Sequence, residues 1–98
     1  MVENMSPHVD MVIDSVTNIC KRFGALSVTL FGSRATGLAL EKSDIDIAIS
    51  GNEIDFNSID EEIEKILSLL TINVVDLSTA SDNLRKDIDS YGKLLYKA

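Results

Sequence analysis

The chain has 98 residues, so we expect a single domain over residues 1–98 that buries about 60–65% of its unfolded surface. Sixteen acidic and nine basic residues give a formal net charge of −7, which is atypical of a nucleic-acid-binding protein and fits a basic or mixed-charge protein partner or a metal–nucleotide substrate. A single cysteine, no apolar run of membrane-spanning length and no signal-peptide pattern predict a cytoplasmic protein without a membrane partner.

The first element is an amphipathic helix. Apolar residues recur at helical spacing from Val9 to Phe23, and Gly24 is expected to end the helix. Cys20 lies on the apolar stripe of this helix. We therefore interpret it as an unreactive core residue and not as a catalytic thiol.

A strand follows over residues 26–31 and leads directly into Gly32, Ser33 and Arg34. Glycine lets a backbone approach closely, and the N–H groups of a strand-to-helix turn, with the Ser33 hydroxyl, can hold the distal phosphates of a nucleoside triphosphate. Arg34 is a candidate for neutralising phosphate charge. The alternatives are an ordinary turn with a serine cap, and a surface ion pair for Arg34.

Residues 43–49 predict a strand with strict alternation. The three isoleucines at positions 45, 47 and 49 share one face, and Asp44 and Asp46 share the other. Aspartate is disfavoured in strands, so a pair on one face requires a reason. The simplest reason is Mg²⁺, which binds proteins through one or two carboxylates together with substrate phosphates.

A third acid, Asp76, lies near the end of a strand predicted over residues 71–77. From a neighbouring strand it could approach the Asp44 and Asp46 pair. Three acids would suit a two-metal site for phosphoryl or nucleotidyl transfer. The alternative for Asp76 is a strand-terminal residue that caps the next turn.

Two more helices complete the pattern. The run from Ser58 to Glu61 predicts a capping box that opens a helix, whose apolar stripe is Ile59, Ile63, Ile66, Leu67 and Leu70. A last helix is predicted from about Ser81 to Tyr91, with Leu84 and Ile88 facing inward and Gly92 as its end.

Four segments resemble a known family: Leu-Phe-Gly-Ser-Arg-Ala at 30–35, Ser-Asp-Ile-Asp-Ile-Ala-Ile at 43–49, Val-Val-Asp-Leu at 74–77, and Tyr-Gly-Lys-Leu-Leu-Tyr at 91–96. They are similar to the minimal nucleotidyltransferases, the smallest members of the DNA polymerase β-like superfamily. The resemblance spans about residues 9–96, and the spacing between the Gly-Ser turn and Asp-x-Asp is its most specific part. One departure is Thr36, where members of the family often carry a second arginine.

The pattern and the resemblance together predict an α/β fold, a small mixed sheet with helices on one face and an acidic cleft on the other. The expected reaction is nucleotidyl transfer from ATP. Two Mg²⁺ ions would lie on Asp44, Asp46 and Asp76, which are the predicted catalytic and metal-binding residues. The nucleotide would be held by Gly32, Ser33 and Arg34.

The resemblance also implies a partner. Similar proteins are antitoxins of HEPN/MNT toxin–antitoxin systems, which adenylylate a tyrosine of an all-helical HEPN ribonuclease toxin. We therefore expect a hetero-oligomer with a HEPN-type toxin. Two alternatives stay open from the sequence: an antitoxin that acts only by steric binding, and a small-molecule nucleotidyltransferase that acts as an oligomer.

Overall fold

The computed structural model describes residues 7–39, 43–66 and 70–98, and they form one four-stranded sheet with four helices. The helices are α1 (Pro7–Arg22), α2 (Ser33–Thr36), α3 (Phe56–Glu64) and α4 (Asp82–Tyr91). The strands are β1 (Ser27–Phe31), β2 (Ile45–Ser50), β3 (Ile72–Asp76) and β4 (Lys93–Lys97).

The sheet is mixed, as predicted, with the strand order β3-β2-β1-β4. Strand β1 pairs antiparallel with both β2 and β4, whereas β2 pairs parallel with β3. The register places Phe31 opposite Asp46 across β1 and β2, and Asn73 beside Asp46 across β2 and β3. These pairings fix which side chains can meet on each face of the sheet.

One face of the sheet, the closed face, packs against α1 and α3. The alternation in β2 puts Ile45, Ile47 and Ile49 on this face, and all three are fully buried. Val28 and Leu30 of β1 pair with Ile49 and Ile47 and extend the same apolar layer. The apolar stripe of α1 covers it, so the main core lies between the helices and this face, with the helical residues Val9, Val12, Ile13, Val16, Ile19, Cys20 and Ile59.

The other face, the open face, is covered at one end by α4, which differs from the expected arrangement with helices on one face only. A Cβ added at Gly92, directly after α4, would lie 2.7 Å from Thr29 Cγ2. Thr29 pairs with Ala48, whose side chain points to the same face as Asp46. Ala48 of β2 and Ile88 of α4 are both buried, as expected if α4 covers this end of the face.

The ends of the helices follow their capping residues. Helix α1 ends before Gly24, whose φ of 92° is one that glycine adopts most readily. Helix α4 begins after Ser81, close to the predicted start, and the Ser81 hydroxyl accepts from the Leu84 amide. The predicted start of α3 at Ser58 is wrong, because Asp55 is the cap and accepts from the Ser58 amide at 3.1 Å. Of the predicted α3 stripe, Leu67 lies outside the described residues.

Within the described ranges, every helix is too short or too polar to cross a membrane.

Candidate functional site

The structure brings Asp44 and Asp46 together on the open face. Asp44 lies just before β2, and Asp46 is the second residue of that strand. Both carboxylates accept a hydrogen bond from the same amide nitrogen, Asn73 Nδ2, at 3.3 Å to Asp44 Oδ2 and 3.0 Å to Asp46 Oδ1. Asp44 is exposed and Asp46 half-buried, so the pair faces solvent while the neighbouring isoleucines are buried.

The Gly32 backbone lies directly against the Asp46 carboxylate. Gly32 has φ 75° and ψ −157°, a conformation that side-chain-bearing residues rarely adopt. A Cβ at this position would overlap Asp46 Oδ2. The predicted phosphate-binding turn and the predicted metal-binding pair are therefore adjacent parts of a single site.

Ser33 follows Gly32 and is the first residue of the short helix α2. The turn is closed by the Gly32 carbonyl, which accepts from the amides of Ala35 and Thr36 at 3.1 and 3.2 Å. Thr36 also donates its hydroxyl to the Ser33 carbonyl at 3.2 Å, within its own helix. Ser33 is thus placed one residue from the close approach between Gly32 and Asp46.

Arg34 is buried, with 2% of its surface exposed. Its Nε and Nη2 both donate to the Ser43 carbonyl, at 3.0 and 2.8 Å, and so join α2 to the residue before Asp44. Arg34 is therefore held inside the fold by a backbone carbonyl and not at the surface, where the alternative of a surface ion pair would place it. The physical reason is that the Ser43 carbonyl, two residues before β2, accepts charge-assisted hydrogen bonds from the guanidinium inside the fold. A contact of Arg34 with phosphate stays a prediction.

The prediction that Asp76 approaches the aspartate pair is wrong in this structure. Asp76 pairs with Ile49, three positions beyond the Asp46 and Asn73 pair, so strand alternation directs it toward the other face. Its Oδ1 accepts from the amide and the hydroxyl of Ser78, at 2.9 and 2.7 Å. Asp76 therefore caps the turn after β3, which is the alternative that the sequence left open.

Asn73 is the site residue that sequence reasoning missed. It is an exposed side chain in the second position of β3, and asparagine in a strand is as unusual as aspartate. An asparagine within a predicted strand was therefore the signal in the sequence that could have pointed to this residue. It could not be interpreted without the parallel register, which places Asn73 beside Asp46.

The donor set fits one hard divalent cation. Two carboxylates offer oxygen ligands at one place, beside an amide whose Nδ2 donates to both, and Mg²⁺ uses carboxylates together with substrate phosphates. Among residues 7–39, 43–66 and 70–98, no group of three or more acidic, histidine or cysteine side chains could hold a metal ion. The three-acid arrangement expected from the sequence is therefore not formed by the described residues.

A pocket of about 320 Å³ adjoins the site between the Gly32 turn and α4. Phe31 and Gly32 form one wall, and Leu84 and Tyr91 of α4 form another. It opens beside the Gly32 backbone, so α4 makes part of the wall of the open face. This pocket was not expected from the sequence, because the position of α4 was not expected.

Cys20 belongs to the main core and not to the site. It is fully buried in α1, and burial raises the pKa of its thiol to about 11. A thiol with so high a pKa is a poor nucleophile at neutral pH. This agrees with its interpretation as an unreactive core residue.

Comparison with known proteins identifies the family. A family model described as polymerase beta nucleotidyltransferase matches residues 14–98. A comparison with curated proteins finds no significant match.

Among solved structures, a chain from a toxin–antitoxin complex with AMP-PNP is 27% identical, with a TM-score of 0.72 over 87% of this chain and 73% of the other. A chain from the complex of tri-AMPylated Shewanella oneidensis HEPN toxin with MNT antitoxin is 21% identical, with a TM-score of 0.68 over 91% and 72%. A chain of the MntA–HepT toxin–antitoxin complex has the same identity and TM-score over 91% and 73%. The last two similarities show the fold. With the glycine turn against the paired aspartates, the family match leads to one conclusion: the chain belongs to the polymerase β nucleotidyltransferase family.

Proposed function

We propose that this protein transfers AMP from ATP to a tyrosine hydroxyl of a HEPN-type toxin and thereby neutralises the toxin. The observation that carries the proposal is the contact of the Gly32 backbone with Asp46, whose carboxylate shares an amide donor with Asp44. Binding to a partner gives no reason for a glycine with positive φ against a pair of carboxylates. A triphosphate held beside a cation does, because its phosphates must approach the backbone and the carboxylates at the same place.

Asp44 and Asp46 would hold Mg²⁺, with the nucleotide phosphates beside the Gly32 and Ser33 turn. When bound, Mg²⁺ supplies Lewis-acid stabilisation of charge on the phosphate oxygens. Arg34 acts indirectly, because its guanidinium fixes the Ser43 carbonyl and with it the start of the segment that carries Asp44. We assign Arg34 a positioning role on this basis.

The reaction balances as a simple displacement. The acceptor hydroxyl oxygen forms a bond to the α-phosphorus of ATP, and the bond between that phosphorus and the oxygen bridging to the β-phosphorus breaks. The products are an adenylylated tyrosine and pyrophosphate, and the hydroxyl proton passes to solvent. The open face gives an acceptor side chain access to Asp44 and Asp46, because both carboxylates lie outside the main core.

The choice of partner rests on similarity and charge. The chain with 27% identity comes from a toxin–antitoxin complex containing AMP-PNP, which links this fold to both a nucleotide and a partner. A net charge of −7 favours a partner with a basic surface. An adenylyl group near a ribonuclease site would add negative charge where RNA phosphates bind, and would also block access.

The test is to incubate the HEPN-type protein with ATP and MgCl₂ together with the wild type or the Asp44→Asn/Asp46→Asn variant. We expect the partner to gain the mass of one or more adenylyl groups and to lose ribonuclease activity with the wild type only. The matched control is Asp10→Asn/Asp14→Asn, which makes the same change in charge on exposed positions of α1. This control should retain transfer.

The second candidate function is neutralisation by binding alone. The observation that favours it is the neutral Asn73 at the place where a third acid was expected. An unchanged partner mass with wild type, together with equal silencing of the ribonuclease by wild type and Asp44→Asn/Asp46→Asn, would replace the enzyme proposal by this one.

A further inference from the structure

Asn73 occupies the place in the site that a third carboxylate was expected to fill. Parallel pairing of β2 and β3 puts it beside Asp46, and its Nδ2 lies 3.3 Å from Asp44 Oδ2 and 3.0 Å from Asp46 Oδ1. Asp76 is three positions away and binds Ser78. Strand β3 therefore places a neutral amide, and not a carboxylate, beside Asp44 and Asp46.

An amide and a carboxylate have different effects at this position. The N–H group of Asn73 donates to two negatively charged acceptors, and such hydrogen bonds stabilise more than those between neutral groups. A carboxylate there would repel both aspartates. The amide also has an oxygen, so it can ligate a cation, but it contributes no negative charge to the site.

We propose that Asn73 is a positioning residue that makes cation binding at this site depend on the nucleotide. The inference rests on the proposed function. In the free protein the Asn73 amide donates a hydrogen bond to each of the two carboxylates. Two carboxylates attract a divalent cation less strongly than three would. ATP phosphates supply the missing charge and oxygen ligands, as is usual for Mg²⁺ sites. The site therefore takes up metal and nucleotide together and binds Mg²⁺ weakly without the nucleotide.

The first experiment is a calorimetric titration of the nucleotide-free protein with MgCl₂. We expect Asn73→Asp to bind Mg²⁺ at least about tenfold more tightly than the wild type, because it adds one unit charge at the ligand distance. Asn73→Ala, which frees both carboxylates from the amide, should bind Mg²⁺ more tightly than the wild type and less tightly than Asn73→Asp. Asn18→Asp, an equal charge change at an exposed position of α1, should leave the affinity unchanged.

The second experiment is thermal unfolding in EDTA, in MgCl₂, in AMP-PNP with EDTA, and in MgCl₂ with AMP-PNP. The wild type should be stabilised by the combination and little by MgCl₂ alone, whereas Asn73→Asp should respond to MgCl₂ alone. In EDTA, Asn73→Asp and Asn73→Ala should melt about 4–8 °C below the wild type, because one adds repulsion and the other removes both hydrogen bonds.

Equal Mg²⁺ affinity of the wild type and Asn73→Asp would overturn the inference. The inference would also be overturned if MgCl₂ alone raised the Tm of the wild type as much as MgCl₂ with AMP-PNP does. This result needs only the wild type, so it holds even if the variants fail to fold.

The transfer assay is independent of these readouts. Metal and nucleotide binding as expected, without any change in partner mass, would refute the transfer proposal and support the role of Asn73. If the Tm of the wild type changed with neither MgCl₂, AMP-PNP nor the two together, both the role of Asn73 and the transfer proposal would be refuted.

Discussion

The two faces of the sheet differ although the same strands build them. On the closed face, Ile45, Ile47 and Ile49 are fully buried under α1 and α3. On the open face of the same strand, Asp46 is half-buried beside the exposed Asn73. Alternate residues of β2 thus serve different purposes: the buried isoleucines stabilise the fold, and Asp46 belongs to the candidate site. A change at one position should alter the fold, and a change at the next should alter the site.

The largest effect expected is from Ile47→Ala on the closed face. Removing a fully buried isoleucine should lower the free energy of unfolding by about 2–5 kcal/mol. The neighbouring Asp46→Asn should change it by about 1 kcal/mol or less while abolishing transfer. Urea unfolding with intact-mass analysis of the partner measures both. Equal losses of stability would remove the distinction between the faces.

The second prediction concerns ligands of the open face. At a hundredfold excess over its Kd, a ligand that binds the native state stabilises by about 2.7 kcal/mol, on the order of 10 °C or more in Tm for a small domain. We expect MgCl₂ with ATP to give this shift in the wild type and not in Asp44→Asn/Asp46→Asn. Differential scanning fluorimetry measures it. Absence of a shift in the wild type would contradict a nucleotide site on this face.

The third prediction compares two glycines with positive φ. Gly24 and Gly32 have φ 92° and 75°, so alanine is strained at either position, by about 1–3 kcal/mol. A Cβ at Gly24 meets nothing within 4 Å, whereas at Gly32 it overlaps Asp46 Oδ2. We therefore expect Gly32→Ala to lose transfer and Gly24→Ala to keep it, both being measured by partner mass at matched folded fractions. Equal activity would mean that the contact with Asp46 is unimportant.

The smallest expected effect is a loss of stability at acid pH, which involves the carboxylates of Asp55, the cap of α3, and of Glu62 within α3. Hydrogen bonds from the Ser58 hydroxyl and amide lower the pKa of Asp55, and the hydrogen bond from Lys65, with help from Arg22, lowers the pKa of Glu62. Their contribution to stability is therefore complete above their unfolded pKa values, near 3.8 and 4.5, and is lost as the pH falls through the lower folded values.

Asp55→Ala should accordingly lower the Tm slightly at pH 7 and less at pH 3, as measured by circular dichroism. Asp60→Ala, at an exposed position within α3, is the comparison. A deficit at pH 3 as large as that at pH 7 would contradict a charge-dependent cap.

The sequence predicted the elements well because they depend on local patterns. Helix α1, strand β2 and the span of α4 all follow from spacing and end signals within a few residues. The start of α3 was missed because two capping signals compete within four residues, and Asp55 is the one that binds the helix amides.

Long-range pairing explains the remaining differences. The alternation of β3 was visible in the sequence, but the register that puts Asn73 and not Asp76 beside Asp46 is set between strands. The amphipathic pattern of α4 predicted a buried side without indicating which sheet face would receive it. Arg34 was expected near the surface, because a partner for a buried guanidinium, the Ser43 carbonyl, cannot be inferred from spacing.

The hydrogen bonds from Arg34 to Ser43 have a consequence for the chain between them. The guanidinium secures the chain where it enters β2, after the connection from α2 is complete. The start of the aspartate segment is therefore fixed by the fold and not by the length of that connection. A change in the length of that connection would therefore leave the position of Asp44 unaltered as long as Arg34 stays bonded to the Ser43 carbonyl.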